Sequence, residues 1–307
     1  MEFTFKFGAI PSPLDKRDYE LSNLISCTGQ LPSTYINPLV HEIEILDQGT
    51  SNECVACSLS YLRWLTEYSQ SNNRKTFSPT YIYANREYGM YLGEGMVPRE
   101  ALSILHKNGT CFFEDFPGFY SYSNAYSTYK KIKDDVDKKA YPFRISSYYK
   151  VSSIEQIKTA VYNLGGVSAM YAVYGCLICP DDSGRVNYSA DNSFYSYGNH
   201  QMTIVGWTED CWILLNSWGK NWGDNGLCYI PFDYPITEAW AIVDYITEVY
   251  YKMARFIDTA GHWAEEDIEK AAEKGAVSGF EDGTFRPDEG ITRAQLCSIL
   301  NRLGLLD

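Results

Sequence analysis

The chain has 307 residues, 45% of them apolar, with a formal net charge of −13. That length suits about two domains with room for a sizeable core. The acidic balance excludes the cationic surface on which nucleic-acid binding depends, and no apolar run reaches the roughly 18 residues of a membrane-spanning helix.

Residues 1–30 read as an N-terminal extension. Met1 to Gly8 shows neither the apolar stretch nor the cleavage pattern of a secretory signal peptide. Pro11-Ser12-Pro13-Leu14-Asp15-Lys16-Arg17-Asp18-Tyr19 is extended and turn-rich. A loop of glycine and small polar residues, Asp47 to Glu53, then runs into Cys54. The spacing of Leu59, Leu62, Leu65 and Tyr68 predicts a helix over Ala56–Tyr68. A cysteine at the first turn of a buried helix meets the positive end of the macrodipole, which favours the nucleophilic thiolate. The Gln48 amide and the Cys54 backbone N–H supply the donors of an oxyanion hole. The competing reading of Cys54 taken alone is a buried structural thiol.

Phe77-Ser78-Pro79 opens a second helix, and Arg99–His106 forms a third, ended by Asn108-Gly109. Residues 119–150, rich in Tyr, Lys and Asp, read as a connecting segment whose end, Tyr141 to Ile145, starts a strand half. Ser153–Leu164 is a short helix ended by Gly165-Gly166, Val167–Val173 a strand, and Cys176–Ser196 a polar loop. Ser196 to Trp207 places His200 at the mouth of an apolar strand. Cys211 to Gly219 places Asn216 at the end of the next one. A thiol nucleophile needs a base for its proton and a third polar group to fix the imidazole, and Cys54, His200 and Asn216 supply these in order. Trp218 is placed to shield the Asn216–His200 bond from water.

Gln48…Cys54-Val55-Ala56, Asn199-His200…Val205-Gly206 and Asn216-Ser217-Trp218-Gly219…Trp222-Gly223…Gly226 resemble the active-site blocks of papain-like cysteine peptidases. The Cys-to-His spacing agrees with that family. Three departures stand out: Ser51 where a disulfide cysteine is usual, Asn52-Glu53 for a small pair, and Val55 for an aromatic. The resemblance implies an α+β, two-lobed papain-like fold over residues 31–249, a helical lobe beside an antiparallel β-sheet or barrel lobe. It implies Cys54 as nucleophile, His200 as its partner, Asn216 as orienter and Gln48 as oxyanion donor. Gly95 matches the glycine whose backbone pairs with substrate as a short antiparallel ladder. Met170 and Gln201, with Met96 facing them, are implied to line the pocket for the second residue before the scissile bond, and Trp218 to border the substrate. The family is usually made with a long helical propeptide, which residues 1–30 lack. The extension therefore either wraps the outside of the domain, which we favour, or lies over the cleft as a short blocking arm.

Of nine cysteines, two pairs have CxxC spacing, Cys54/Cys57 and Cys176/Cys179. Spacing alone permits a zinc site, but Cys54 and Cys57 fall on different sides of a helix start. A Cys176–Cys179 disulfide or free thiols throughout is the expectation, with no metal and no other cofactor.

Residues 250–255 read as a linker. Beyond it a helix is expected from the Phe256–Ala264 region to Gly275, then a turn-rich loop, then a helix capped by Thr292. Asp258…His262-Trp263, Asp282-Gly283-Thr284-Phe285…Pro287 and Ile291-Thr292-Arg293-Ala294 resemble one S-layer homology repeat over residues 256–307. Such repeats usually come in threes and bind anionic polysaccharide of the bacterial wall. The resemblance implies Arg293 as the glycan contact, a trimer or partner to complete the unit, and an extracellular place at a Gram-positive-type wall. Gln295 departs from the usual glutamate, and a helical appendage that only packs on the peptidase is the alternative. The expected function is a wall-associated cysteine endopeptidase acting on peptide or protein. The alternative is a non-catalytic peptide- or glycan-binding surface or phage-associated protein.

Overall fold

The computed structural model describes residues 6–25, 31–71, 74–87, 94–189, 195–244, 256, 258–259, 262–280 and 284–306. They fall into two units, Met1–Leu21 with Leu31–Asp244, and Ser22–Gln30 with Tyr245–Asp307. The expected 250–255 linker and the domain boundary at residue 249 lie outside the described residues.

In the first unit, helix α1 (Cys54–Ser71) begins at the candidate nucleophile itself, two residues before the expected start. A single apolar stripe understates its burial. Cys54, Val55, Ala56, Leu59 and Leu62 join one core cluster, while Cys57, Tyr61, Trp64 and Leu65 join another. A helix apolar on several sides is one packed between layers, and each leucine-sized side chain so buried contributes about 1.5–3 kcal/mol. Ser58, a polar side chain on its sheet-facing side, is satisfied by Ser168 Oγ at 2.7 Å and Thr203 Oγ1 at 2.9 Å.

Helix α2 (Pro79–Ala84) starts as expected, with Pro79 in its first turn and Ser78 Oγ accepting from Tyr81 N–H. Helix α3 spans Pro98–Lys107. The expected connecting segment is instead a 19-residue helix, α4 (Tyr122–Ala140). Tyr122, Ala125, Tyr129, Val136 and Ala140 are its buried residues, a helical spacing diluted by the Lys and Asp residues between them. Tyr81 and Tyr129 both donate to Asp137 Oδ1 at 2.9 Å, which ties α2 to α4.

The sheet contains β1 (Tyr35–Ile36), β2 (Ile145–Lys150), β3 (Val167–Ala172), β4 (Asn199–Trp207), β5 (Cys211–Leu215), β6 (Leu227–Pro231) and β7 (Ile236–Asp244). Its order is β2-β7-β3-β4-β5-β6, with β1 added on β4. Every paired strand runs antiparallel. Gly206 lets β1 approach, since a Cβ there would lie 2.3 Å from Tyr35 O. Helix α5 (Ile154–Leu164) is capped by Ser153 and ended by Gly165 at φ 93°. The short helix α6 (Gly175–Ile178) interrupts the expected polar loop. Helical and sheet layers thus meet along α1, which is the α+β architecture expected.

In the second unit, helix α7 (Glu265–Glu273) is shorter than expected. The preceding residues are used otherwise: both Asp258 carboxylate oxygens accept backbone N–H groups, from Phe285 at 2.7 Å and Arg286 at 2.6 Å. His262 Nδ1 accepts from Ala264 N–H at 3.1 Å just ahead of the helix. Phe256, Ile268 and Ala272 form the small core. Helix α8 (Arg293–Arg302) opens with a complete capping box, Thr292 with Gln295. Gln295 therefore fills the capping role of the usual glutamate. Arg293 is exposed, and α8 has no buried residue.

Candidate active site

Cys54 sits in the first turn of α1, with the Glu53 carbonyl accepting the first helical bond from Cys57 N–H at 2.8 Å. Strand register then sets the other side of the cleft. His200 pairs with Tyr171, and Gln201 with Met170, across β4 and β3. The backbone N–H of Gln201, next to His200, faces the Cys54 sulfur. Asn216 follows β5, its N–H bonded to Gly226 O at 2.9 Å and its carbonyl accepting from Tyr61 O–H at 3.1 Å.

The imidazole tautomer follows from this frame. Asn216 Oδ1 accepts from Ser217 N–H at 2.8 Å, which identifies it as the amide oxygen. His200 Nε2 lies 2.7 Å from that same oxygen and so carries the hydrogen. Nδ1 of the neutral ring is then an open lone pair, buried and without a hydrogen-bond partner among the described residues. Trp218 stacks on the ring, centroids 4.4 Å apart and 25° between planes. An imidazole so held is ready to take a proton at Nδ1.

Gln48 is equally fixed. Its N–H donates to Ser217 O at 2.9 Å, Ser217 Oγ donates to its Oε1 at 2.6 Å, and its Nε2 donates to Ser51 O at 2.8 Å. Nε2 also reaches the Lys6 carbonyl at 3.4 Å.

That last contact belongs to the extension, and it corrects the favoured outer path. The part nearest the nucleophile lies in the cleft. Ala9 N–H donates to Asn199 O at 3.2 Å, Met96 N–H donates to Gly8 O at 2.7 Å, and Ile10 N–H donates to Met96 O at 3.0 Å. Phe7 packs edge-on against His200 and Trp218, at 6.4 and 6.0 Å between centroids. The Gly8 N–H faces the Cys54 sulfur. A Cβ on Gly8 would lie 2.2 Å from Asn52 O, so a glycine is what lets the arm come this close. Only the later part wraps outward, where Lys150 N–H meets Tyr19 O at 2.8 Å and Arg99 pairs with Asp18. Arm and residue 96 run parallel.

In the arm's ladder the pairing residue is Met96, while the Gly95 carbonyl accepts from Arg86. A Cβ at Gly95 would stand 2.5 Å from Ile10, so its contribution is closeness. Met96 and Met170 share a core cluster with Cys54 and Ala9. Gln201 Nε2 donates to Ser168 Oγ at 2.9 Å, while its Oε1 is buried and unpartnered among the described residues. Arg293 belongs to the other unit.

Under the arm, Cys54 and His200 are 0% exposed. Burial raises the Cys54 thiol above its usual 9.0, against backbone N–H groups that lower it. Burial lowers His200 to about 4, with the Asn216 bond acting the other way. Both effects of burial favour the neutral thiol and the neutral imidazole, against the thiolate that the helix dipole favours. The described cysteines are all free thiols, Cys176 and Cys179 included. No group of three or more His, Cys, Asp or Glu side chains is placed to hold a metal among the described residues.

The model of the papain family cysteine proteases matches residues 44–237. The chain belongs to that family. Residues 255–297 match the S-layer homology domain, so a papain-family protease domain is joined here to a surface-protein module. An uncharacterized peptidase C1-like protein of Acanthamoeba polyphaga mimivirus is 26% identical over 76% of this chain and 83% of its own length. The C-terminal unit is 48% identical over 54 residues to the outer membrane protein SlpA of Thermus thermophilus, of which it spans 6%. Among solved structures, the cysteine protease xylellain of Xylella fastidiosa aligns with a TM-score of 0.67 and 24% identity, over 78% of this chain and 96% of its own. The cysteine protease and lectin-like domains of Cwp84, a surface layer associated protein of Clostridium difficile, align at 0.61 and 18%, over 78% and 56%. These likenesses agree with the two-lobed fold.

Sequence reading missed two residues here and left the arm's path between two alternatives. Ser217 holds Gln48, and only its place beside Asn216 hinted at it. Glu238 of β7, paired with Met170, accepts from the arm at Ser12 N–H, 3.0 Å away. The cleft-filling part of the arm carried no periodicity that could have revealed its path.

Proposed function

We propose that this chain is a cysteine endopeptidase held inactive by its own N-terminal arm and retained at a bacterial cell surface by its C-terminal repeat. The observation that carries the catalytic reading is the fixed tautomer of His200, which leaves Nδ1 buried with its lone pair open among the described residues. Once the arm leaves, the Cys54 proton passes to Nδ1 and the thiolate attacks a peptide carbonyl. Gln48 Nε2 and the Cys54 N–H receive the oxyanion. The imidazolium returns its proton to the departing amine, and water then hydrolyses the thioester. Met96, Met170, Gln201 and Trp218 border the substrate.

The arm supports its own role as inhibitor. Family resemblance has substrate pairing antiparallel to the segment at residues 95–96, whereas the arm pairs parallel. It runs in the opposite sense to such a substrate. In a chain whose arm is displaced by Gly8→Val, an epoxysuccinyl peptide reagent is expected to modify Cys54 alone, read by peptide mapping. Modification of another thiol in its place would refute the assignment.

Anchoring rests on the S-layer homology match and on exposed Arg293, whose guanidinium suits an anionic glycan. Helix α8, with no side chain buried, suits completion of the unit by further copies or a partner. A wall of the Gram-positive type is the setting in which this reading applies. The full chain is expected to sediment with cell-wall sacculi, and Arg293→Ala to lower the bound fraction several-fold. Equal sedimentation of both would remove Arg293 from the glycan site.

A further inference from the structure

Glu53 precedes the nucleophile, yet its side chain takes no part in the chemistry above. It leaves α1 and crosses to two other segments. Its Oε1 accepts from Tyr120 N–H at 2.9 Å, and its Oε2 lies 2.8 Å from Thr80 Oγ1 on α2. Thr80 Oγ1 is also bonded to the Gly118 carbonyl. Glu53 and Thr80 are both 0% exposed. A hydroxyl has one hydrogen to give, so it cannot serve a carboxylate and a carbonyl together. A proton on Oε2 resolves the conflict: Glu53 donates to Thr80, and Thr80 donates to Gly118. Tyr120 N–H then meets Oε1, the carbonyl oxygen of the neutral acid.

The surroundings agree. Among the described residues, Cys57 on α1 and Tyr83 on α2 are ionisable groups that a Glu53 charge raises. Burial is the largest influence on Glu53 itself and pushes its carboxyl up to about 8, against the Tyr120 and Thr80 bonds. The turn that the proton secures is part of the cleft. Phe119 and Tyr120 line a cavity of about 470 Å³ together with Asp47, Gln48 and Ser51.

Resting on the peptidase reading, we propose that Glu53 is a positioning residue that works as a protonated acid. Its proton ties the 118–120 turn to the start of the nucleophile helix, and its loss frees that wall of the cleft and sets an alkaline limit on hydrolysis. The sign follows from linkage. The folded chain holds this proton at pH values where the unfolded chain has lost it, so stability falls as pH rises from 4.5 to about 8. That span corresponds to roughly a thousandfold change in the folding constant.

Glu53→Gln keeps an acceptor for Tyr120 and a donor for Thr80 without a titrating proton. Urea unfolding of the full chain is expected to show the variant gaining on the wild type by several hundredfold or more in folding constant between pH 5 and pH 9. The infrared carbonyl band of a protonated acid is expected in the wild type at pH 7, to fade by pH 9, and to be missing in Glu53→Gln. In a full-length chain with the arm displaced by Gly8→Val, the alkaline limb of hydrolysis is expected to move up by a pH unit or more on Glu53→Gln. Parallel pH dependence of unfolding with an unchanged infrared band, or an unmoved alkaline limb in an active chain, overturns the proposal. Band and unfolding report on the proton even in a chain that proves inactive, so failure of the peptidase reading is told apart from failure of this one.

Discussion

Replacing Gly8 by valine is expected to accelerate alkylation of Cys54 by about 100-fold at neutral pH, a factor equivalent to roughly 3 kcal/mol of lost arm contacts. The substitution acts at the point of closest approach. A Cβ there would sit 2.2 Å from Asn52 O, a backbone atom of the nucleophile loop that cannot swing aside. Valine therefore lifts the arm and breaks the contacts of Gly8, Ala9 and Ile10 with Met96 and Asn199. Water then enters. The burial that raises Cys54 above 9.0 and lowers His200 to about 4 is relieved, so the two groups move toward each other and the thiolate–imidazolium pair forms near neutrality. Iodoacetamide labelling followed by peptide mapping checks this. Equal rates in the two chains would show that the arm does not restrain the thiol.

The second large effect concerns the base. In the Gly8→Val chain, His200→Ala is expected to lower peptide hydrolysis by about a thousandfold or more. The Nδ1 lone pair is lost with the ring, and the Asn216 oxygen keeps the Ser217 N–H. The pH dependence gives a separate signature. With His200, labelling of Cys54 sets in below neutrality; without it, labelling waits until the thiol ionises by itself near or above 9.0. Stopped-flow labelling across pH distinguishes these profiles. A His200→Ala chain with an unshifted onset would show that the imidazole does not activate the sulfur.

Much of the candidate site was legible because the chemistry proposed for it is written in short local signatures. A cysteine at a helix start, a histidine opening an apolar strand and an asparagine closing the next can each be read within a dozen residues. Antiparallel pairing of β4 and β5, which the turn at Glu209-Asp210 makes local, brings the histidine and the asparagine together. Helix α4 was misread for the opposite reason. Its buried positions are tyrosines, alanines and one valine among charged residues, so composition masked the period. For the arm, the sequence left two paths open, outer wrapping and cleft blocking. Its place depends on contacts between Gly8 or Ile10 and Met96, far along the chain, and on one missing Cβ. Glu53 looked like a mere departure from a family pattern. Only the Thr80 and Tyr120 contacts reveal a neutral acid.

The account centres on one sulfur that cleaves peptides once uncovered. Hydrolysis of an unfolded protein substrate by the Gly8→Val chain, with and without Cys54→Ala in the same background, tests this most directly. Robust cleavage by the first and none above background by the second is the predicted result; cleavage that survives the loss of Cys54 would contradict it.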